Sequence, residues 1–207
     1  NVTLTLTNDA SLTWGWTTNY YLTLSTNGNG SVSPTSGFYA LGSNVAVTAT
    51  AAAHYHFTGW SGDTNGCTLN GTNLTAAMSQ PRAITASFAI DQHTLTVTAG
   101  IGGGAQPGTL TTNYGSQLTQ WVTNGMPIYG TTQYVSTGWT LAGNADTNGA
   151  YTGSATNVTL TLTNDASLTW GWTTNYYLTL STNGNGSVSP TSGFYALGSN
   201  VTVTATP

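Results

Sequence analysis

Lysine and glutamate are absent from this chain of 207 residues, and arginine occurs once, as Arg82. The acids are Asp9, Asp63, Asp91, Asp146 and Asp165. Charged side chains make up 3% of the sequence, against about a quarter of an ordinary soluble domain. Each shortage excludes something. Phosphate binding needs clustered Lys and Arg, so nucleic acid is excluded as a partner. An anionic membrane surface is excluded on the same ground. No apolar run approaches the roughly 18 residues of a membrane span, so no membrane insertion is expected. The single Cys67 has no internal disulfide partner. It reads as a small buried hydrophobe, the other reading being a thiol that pairs between chains. Lys–Asn isopeptide cross-links are excluded with lysine itself.

What is present is enough for a core. The chain is 38% hydrophobic and 11% aromatic, with 44 Thr and 26 Gly. That composition is not one of disorder. Thr, Val, Tyr and Trp favour the pleated, half-buried surface of a sheet, and Gly with Asn supplies turns. Apolar and polar residues alternate with period two at Val2-Leu4-Leu6, Leu22-Leu24, Val45-Val47, Ile84-Ala86-Phe88 and Leu95-Val97. Such alternation predicts half-buried strands. Turn clusters separate them, at Thr26–Gly30, Ser33–Gly37, Asp63–Gly66 and Gly102–Gly104. Asn-Gly between alternating runs predicts a hairpin. No amphipathic helix is visible.

Residues 1–50 return as 157–206, at an offset of 156, with Ala46 against Thr202 as the one difference. The period far exceeds that of a solenoid, so each period holds whole domains. A weaker repeat lies inside it. The stretch from Tyr20 to Ile90 passes Gly59-Trp60 and Thr64-Asn65-Gly66; the stretch from Asp91 to Asn175 passes Gly138-Trp139 and Thr147-Asn148-Gly149. Two divergent copies of one all-β fold per 156-residue period are expected. They are small antiparallel β-sandwich or β-grasp-like modules of about six strands. Four segments follow: 1–19 as the C-terminal strands of a truncated second-type module, 20–90 as a first-type module, 91–175 as its divergent partner, and 176–207 as the first half of the next first-type module. The junctions at Ala89–Gln92 and Thr173–Tyr176 hold no Pro or Gly-Ser linker, which favours docked neighbours.

A family resemblance rests on Tyr21-Leu-Thr-Leu24, Gly28-Asn-Gly-Ser-Val32, Tyr39-Ala-Leu-Gly-Ser-Asn-Val-Ala-Val-Thr-Ala49, His56-Phe-Thr-Gly-Trp60 and Ile84-Thr-Ala-Ser-Phe88. This pattern resembles the divergent bacterial internalin-type B-repeat, also described as a Listeria–Bacteroides-like repeat. It restarts at Tyr176 and is looser over 91–175. The resemblance implies β-rich spacer, stalk or adhesive modules of bacterial surface or secreted proteins, located at the cell surface or outside the cell. It carries over no catalytic or ligand-binding residue.

Candidate chemistry is sparse. Catalysis needs titratable groups in company, and no acid here has an acidic neighbour in sequence. No catalytic residue and no cofactor are expected. His54 and His56, two apart on an expected strand, could offer two metal ligands on one face, with Asp63 or Cys67 completing a site; surface or packing roles are favoured. The Asp63 and Asp146 turns resemble the opening of a calcium loop, but no Glu follows, and a β-turn is the better reading. Trp14 and Trp16 share one strand face, as do Trp170 and Trp172. These four, with Trp60, Trp121 and Trp139, either pack cores or stack on sugars, and packing is favoured. Asn-x-Ser/Thr sequons stand at Asn1, Asn29, Asn70, Asn73, Asn157, Asn185 and Asn200, as candidate glycosylation sites.

The functional expectation is a non-enzymatic structural unit of a long extracellular polymer. Natural sheets block edge pairing with Lys and inward charges, and this chain has almost none. Its expected partner is itself, through adjacent repeats and neighbouring chains. The alternative is a stalk or glycan-binding adhesin, with glycans as partners.

Overall fold

The computed structural model describes residues 1–101, 105–123 and 128–207; the expected Gly102–Gly104 turn lies outside them. The chain divides into two compact units, 1–90 and 91–207. Strand is the regular structure in both.

Unit 1 has eight strands: β1 (Asn19–Asn27), β2 (Gly30–Ser33), β3 (Gly37–Ala40), β4 (Asn44–Ala51), β5 (Tyr55–Gly62), β6 (Thr68–Asn70), β7 (Asn73–Ala77) and β8 (Arg82–Ile90). They form two four-stranded sheets, ordered β3-β1-β8-β5 and β2-β4-β7-β6. The period-two pattern decides which side chains meet. Leu22 and Ile84 from the first sheet pack on Val45, Val47, Leu74 and Ala76 from the second, with Met78 between. Fully burying each such side chain contributes about 1.5–3 kcal/mol. The expected alternation of Leu22-Leu24, Val45-Val47 and Ile84-Ala86-Phe88 is therefore the core itself.

Two features of pairing were not legible in the pattern. First, β1 and β8 run parallel, from Leu22↔Arg82 to Asn27↔Ser87, so the first and last strands of the module lie side by side. Second, the Asn-Gly run at Thr26–Gly30 does not close a hairpin. It carries the chain from one sheet to the other, because β1 and β2 belong to different sheets. The glycine requirement there is steric. Gly28 has φ +86°, and a Cβ on it would stand 2.2 Å from the Phe88 carbonyl oxygen. A Cβ on Gly30 would enter the Phe88 ring. The corner passes directly beneath β8.

Unit 2 contains β9 (Gln92–Thr98), β10 (Leu110–Asn113), β11 (Ser116–Trp121), β12 (Ile128–Tyr129), β13 (Thr132–Ala142), β14 (Thr152–Gly153), β15 (Asn157–Leu162), β16 (Ala166–Leu178), β17 (Ser187–Ser189), β18 (Gly193–Ala196) and β19 (Thr204–Thr206). The order β10-β9-β16-β13 repeats β3-β1-β8-β5, and the pair β11-β15 repeats β4-β7. Here too the first and last strands, β9 and β16, pair in parallel. Both units interrupt the following antiparallel ladder at the residue before Gly-Trp, between Phe57 and Gly59 and between Ser136 and Gly138. At Gly138, with φ +116°, a Cβ would come within 1.9 Å of the Gly153 oxygen. Leu95, Trp139, Leu141, Leu160, Leu162, Leu168 and Trp170 make the core.

The duplicated segment occupies two environments. In 157–175, Val158, Leu160 and Leu162 are buried on β15, and Trp170 is buried on β16. In 1–18 the same sequence is irregular and exposed. The strands expected at Val2-Leu4-Leu6 and Trp14-Trp16 are not formed. The reason is pairing: β15 bonds to β11, and β16 bonds to β9 and β13. Among the described residues, 157–175 meet those strands, and 1–18 meet no strand of their own. Likewise β1 continues to Asn27 against β8, while its copy stops at Leu178.

Candidate functional site

Arg82, Asp63, Asp146 and Asp165 are committed to backbone. Arg82 is 4% exposed. Its Nε donates to the Ala77 carbonyl at 2.8 Å, and its Nη1 donates to the carbonyls of Asp63 at 2.8 Å and Asn65 at 2.7 Å. It pins the end of β7 to the loop after β5. The Asp63 carboxylate accepts from the Ala83 amide at 2.8 Å and so clamps β8. In unit 2 the buried Asn144 does comparable work with a neutral amide, donating to the Thr161 carbonyl and accepting from the Asn164 amide. The Asp165 carboxylate accepts from the Thr94 amide at 2.8 Å and lies 3.5 Å from His93 Nδ1.

Asp146 closes a tight Asx-turn. Its Oδ1 accepts from the Asn148 amide at 2.9 Å and the Ala150 amide at 2.7 Å, and its Oδ2 faces the Asn148 side-chain amide. Converging N–H groups suit an anion, so these oxygens stabilise the carboxylate rather than await a cation. The Ala150 amide, ahead of the Asn148 and Gly149 bonds, holds the Asp146 carboxyl below its usual range against the opposing effect of desolvation. A depressed folded value means that the turn's contribution is present above the unfolded value, near pH 4, and is lost as pH falls through the folded one. An NMR titration of the Asp146 carboxyl is expected to show a midpoint below that of Asp in an unstructured peptide. An equal midpoint would mean that the turn is open in solution.

The histidine pair is arranged differently from the sequence expectation. His54 sits in a turn with φ +63°, and β5 begins only at Tyr55. His54 and His56 therefore do not share a strand face, since period two applies only within a strand. Among the described residues no group of three His, Cys, Asp or Glu is placed to hold a metal ion. Cys67 is half-buried, against the core of unit 1.

The tryptophans divide by environment. Trp139 and Trp170 are buried, and among the described residues their indole N–H groups meet no acceptor. Trp172 is half-buried on the same core and donates to the Ala99 carbonyl at 2.6 Å. Trp60 covers the core of unit 1 and donates to the Gly71 carbonyl at 3.0 Å. Trp14 and Trp16 are exposed in the irregular segment. Trp121 is exposed at the end of β11, beyond the exposed Gln117 and Thr119. The sequon residues Asn1, Asn29, Asn70, Asn73, Asn157, Asn185 and Asn200 are all exposed.

What remains is a surface of hydroxyls with aromatic patches. Outward residues pair across strands through hydroxyls: Ser25 with Thr85 at 2.7 Å, Thr94 with Thr111 at 2.8 Å and Thr119 with Thr159 at 2.9 Å. On β1 and β3, Tyr21 and Phe38 stand opposite each other, edge to face with ring centroids 4.9 Å apart. Their copies Tyr177 and Phe194 repeat the contact at 5.0 Å. Sequence reading passed over this pair. The signal was there, because Tyr21 has the parity of Thr23 and Ser25, the outward set, and not that of Leu22 and Leu24.

The module therefore has a two-sheet core, a Gly-Trp strand with a bulge, closing Thr-Ala-x-Phe on β8 and no assembled reactive group among the described residues. A family profile for the divergent InlB B-repeat domain matches residues 20–92 and 176–207, just over half of the chain. The chain belongs to this B-repeat family. The match covers β1–β8 and, over 176–207, the repeat of residues 20–50, whereas the β9–β16 part of unit 2 repeats the B-repeat strand order without matching the profile. B-repeat domains are typically found in surface proteins. Among the described residues no helix is long and apolar enough to cross a membrane. No curated protein and no solved structure matches the chain.

Proposed function

We propose that this B-repeat chain is a structural stretch of a long extracellular polymer, a filament, fibre or sheath, assembled by docking of successive modules and by pairing of strand edges between chains. The observation that carries this reading is β16. Its residues 166–169 pair in parallel with β9, and residues 175–178 pair with β18, which belongs to the next repeat. Along its other side the ladder to β13 runs from Ala142↔Ser167 to Thr132↔Tyr176, straight through the junction. One strand thus serves two consecutive modules. Bending there requires breaking backbone hydrogen bonds, each worth about 0.5–1.5 kcal/mol net. Such a junction transmits load and fixes an axial repeat.

The surface supports assembly as well. The edges carry no Lys to deter pairing. The absence of Lys and the burial of the one Arg leave trypsin-like proteases little to cut in the folded chain. In this reading the chain has no enzymatic step and no cofactor, and its partner is its own kind. Electron microscopy of the native material is expected to show regular filaments with an axial repeat that accommodates one 156-residue period. Flexible strings of beads without lateral order would reject it. The second reading, a glycan-binding stalk, draws on Trp121, which is exposed on the same side of β11 as Gln117 and Thr119. That reading would prevail if isolated chains bound polysaccharide and Trp121→Ala removed the binding.

A further inference from the structure

We propose that Asn70 is a site of spontaneous deamidation, its side chain passing to aspartate and isoaspartate through a cyclic imide closed by the Gly71 amide. Water is the co-reactant. The Gly71 backbone nitrogen loses its proton and attacks Cγ of Asn70, and the side-chain nitrogen leaves as ammonia. Water then opens the imide at either carbonyl. One opening gives a side-chain carboxylate on the normal backbone, and the other gives a backbone lengthened by a methylene. Glycine after asparagine is the favourable case, because no Cβ crowds the attacking nitrogen.

Asn-Gly recurs along this chain, so local chemistry alone singles out no position. The fold does. At Asn148, the Gly149 amide donates to the Asp146 carbonyl at 3.0 Å, and the Asn148 side-chain amide faces Asp146 Oδ2 at 3.4 Å. The attacking nitrogen and its target are both held. At Asn27, the residue is paired with Ser87 and Gly28 packs on the Phe88 carbonyl. At Asn29, the carbonyl accepts from the Ala52 amide at 3.1 Å and Gly30 lies against the Phe88 ring. At Asn65, the carbonyl accepts from Arg82 Nη1 at 2.7 Å. Each of these peptides must give up a contact with another part of the fold before it can turn to close the ring. Asn124-Gly125 lies outside the described residues.

Asn70 is placed differently. It ends β6, a three-residue strand at the end of its sheet, with β7 as its neighbour. Gly71 and Thr72 make the turn into β7, and Asn70, Gly71 and Thr72 are all exposed. Among the described residues the Gly71 amide meets no acceptor, and a Cβ on Gly71 would meet open space. The Trp60 indole N–H does tie the turn, at 3.0 Å from the Gly71 carbonyl. That bond holds the far side of Gly71 and leaves its nitrogen free. Short, exposed elements with few contacts open at low cost. The product puts a negative charge on a strand that has none, in a chain of net charge −4. Strand β6 thereby acquires the kind of edge charge that deters strand addition. Asn70 also heads a sequon, and the two modifications compete for the same side-chain nitrogen.

The test is incubation of the folded 207-residue chain at mildly alkaline pH in heavy-oxygen water, followed by digestion and peptide mass spectrometry. Uptake of the label marks conversion during the incubation. Asn70 is expected to convert about tenfold or more faster than Asn27, Asn29 and Asn148, since each of those must first lose a contact. Isoaspartate should exceed aspartate among its products. In denaturant the four rates should converge, and Gly71→Ala should slow Asn70 there as well, because the added Cβ crowds the nitrogen. Asn70 reacting no faster than Asn148 in the folded chain would overturn the proposal. So would a difference between them that persists in denaturant, which would assign the selectivity to sequence and not to the fold. Aspartate as the sole product would overturn the imide route, since direct hydrolysis of the side chain gives no isoaspartate.

Discussion

Trp170→Ala is expected to destabilise unit 2 by about 3–5 kcal/mol, the range for deleting a large aromatic from a core, while Trp14→Ala changes stability by less than about 0.5 kcal/mol. The two residues occupy the same place in a 50-residue identity broken only at Ala46 and Thr202. Trp170 is 2% exposed and packs among Leu95, Trp139, Leu160 and Leu168; Trp14 is 60% exposed. Domains of this size hold about 5–15 kcal/mol in total, so the loss at Trp170 leaves unit 2 marginal. Denaturant unfolding followed by hydrogen exchange of the β13 and β16 amides separates the cases. Trp170→Phe should recover much of the loss, since it keeps a ring in place and removes an indole N–H that meets no acceptor among the described residues. Similar effects at positions 14 and 170 would mean that residues 1–19 are packed in solution, against the structure.

Arg82→Met is expected to cost unit 1 about 3 kcal/mol or more. The guanidinium is the donor for the carbonyls of Ala77, Asp63 and Asn65. Hydrogen bonds to a charged group contribute about 1.5–3 kcal/mol each, and a buried acceptor left without a donor costs about 1–3 kcal/mol. Met fills much of the volume but donates nothing. Arg82→Lys should fall between, because one ammonium cannot reach in the fork geometry that serves three carbonyls from two nitrogens. The readout is exchange protection at Ile84 and Ala86 on β8, which should drop while Leu160 and Leu168 in unit 2 keep theirs. An Arg82→Met protein within about 0.5 kcal/mol of the parent would show that water reaches these carbonyls in the folded state.

Arg82 also shows how much could have been read earlier. It has the parity of Ile84, Ala86 and Phe88 on β8, so alternation alone assigns it to the inner face. Composition singled it out only as the lone cation. Its partners were not legible, because Asp63 and Asn65 are separated from it by 19 and 17 positions and meet it only after two sheets stack. The Trp pair at 170 and 172 was legible as a shared face, and that face is the core. The histidine pair misled because two-residue spacing was read as strand spacing, while the backbone turns left-handed at His54. The Asn-Gly corner misled for a related reason. Local turn chemistry specifies a tight reversal of the chain, whereas the reversal here leads into the opposite sheet, with Phe88 of the distant β8 packed against Gly28 and Gly30.

The sequence by itself determined the all-β class, the repeat, the inward and outward sides of most strands and membership of the B-repeat family. All of these rest on period-two alternation and local turn residues, which are properties of the chain alone. Only the tertiary structure decided the parallel pairing of first and last strands, the fate of Arg82, the sharing of β16 between repeats and the Tyr21–Phe38 contact across β1 and β3. The duplicated segment gives the physical reason. Val158, Leu160 and Leu162 form a buried strand, and Val2, Leu4 and Leu6 form none. A strand's hydrogen bonds belong to its neighbours, so the same residues form strands where they pair with β11 and β13 and not where they pair with none.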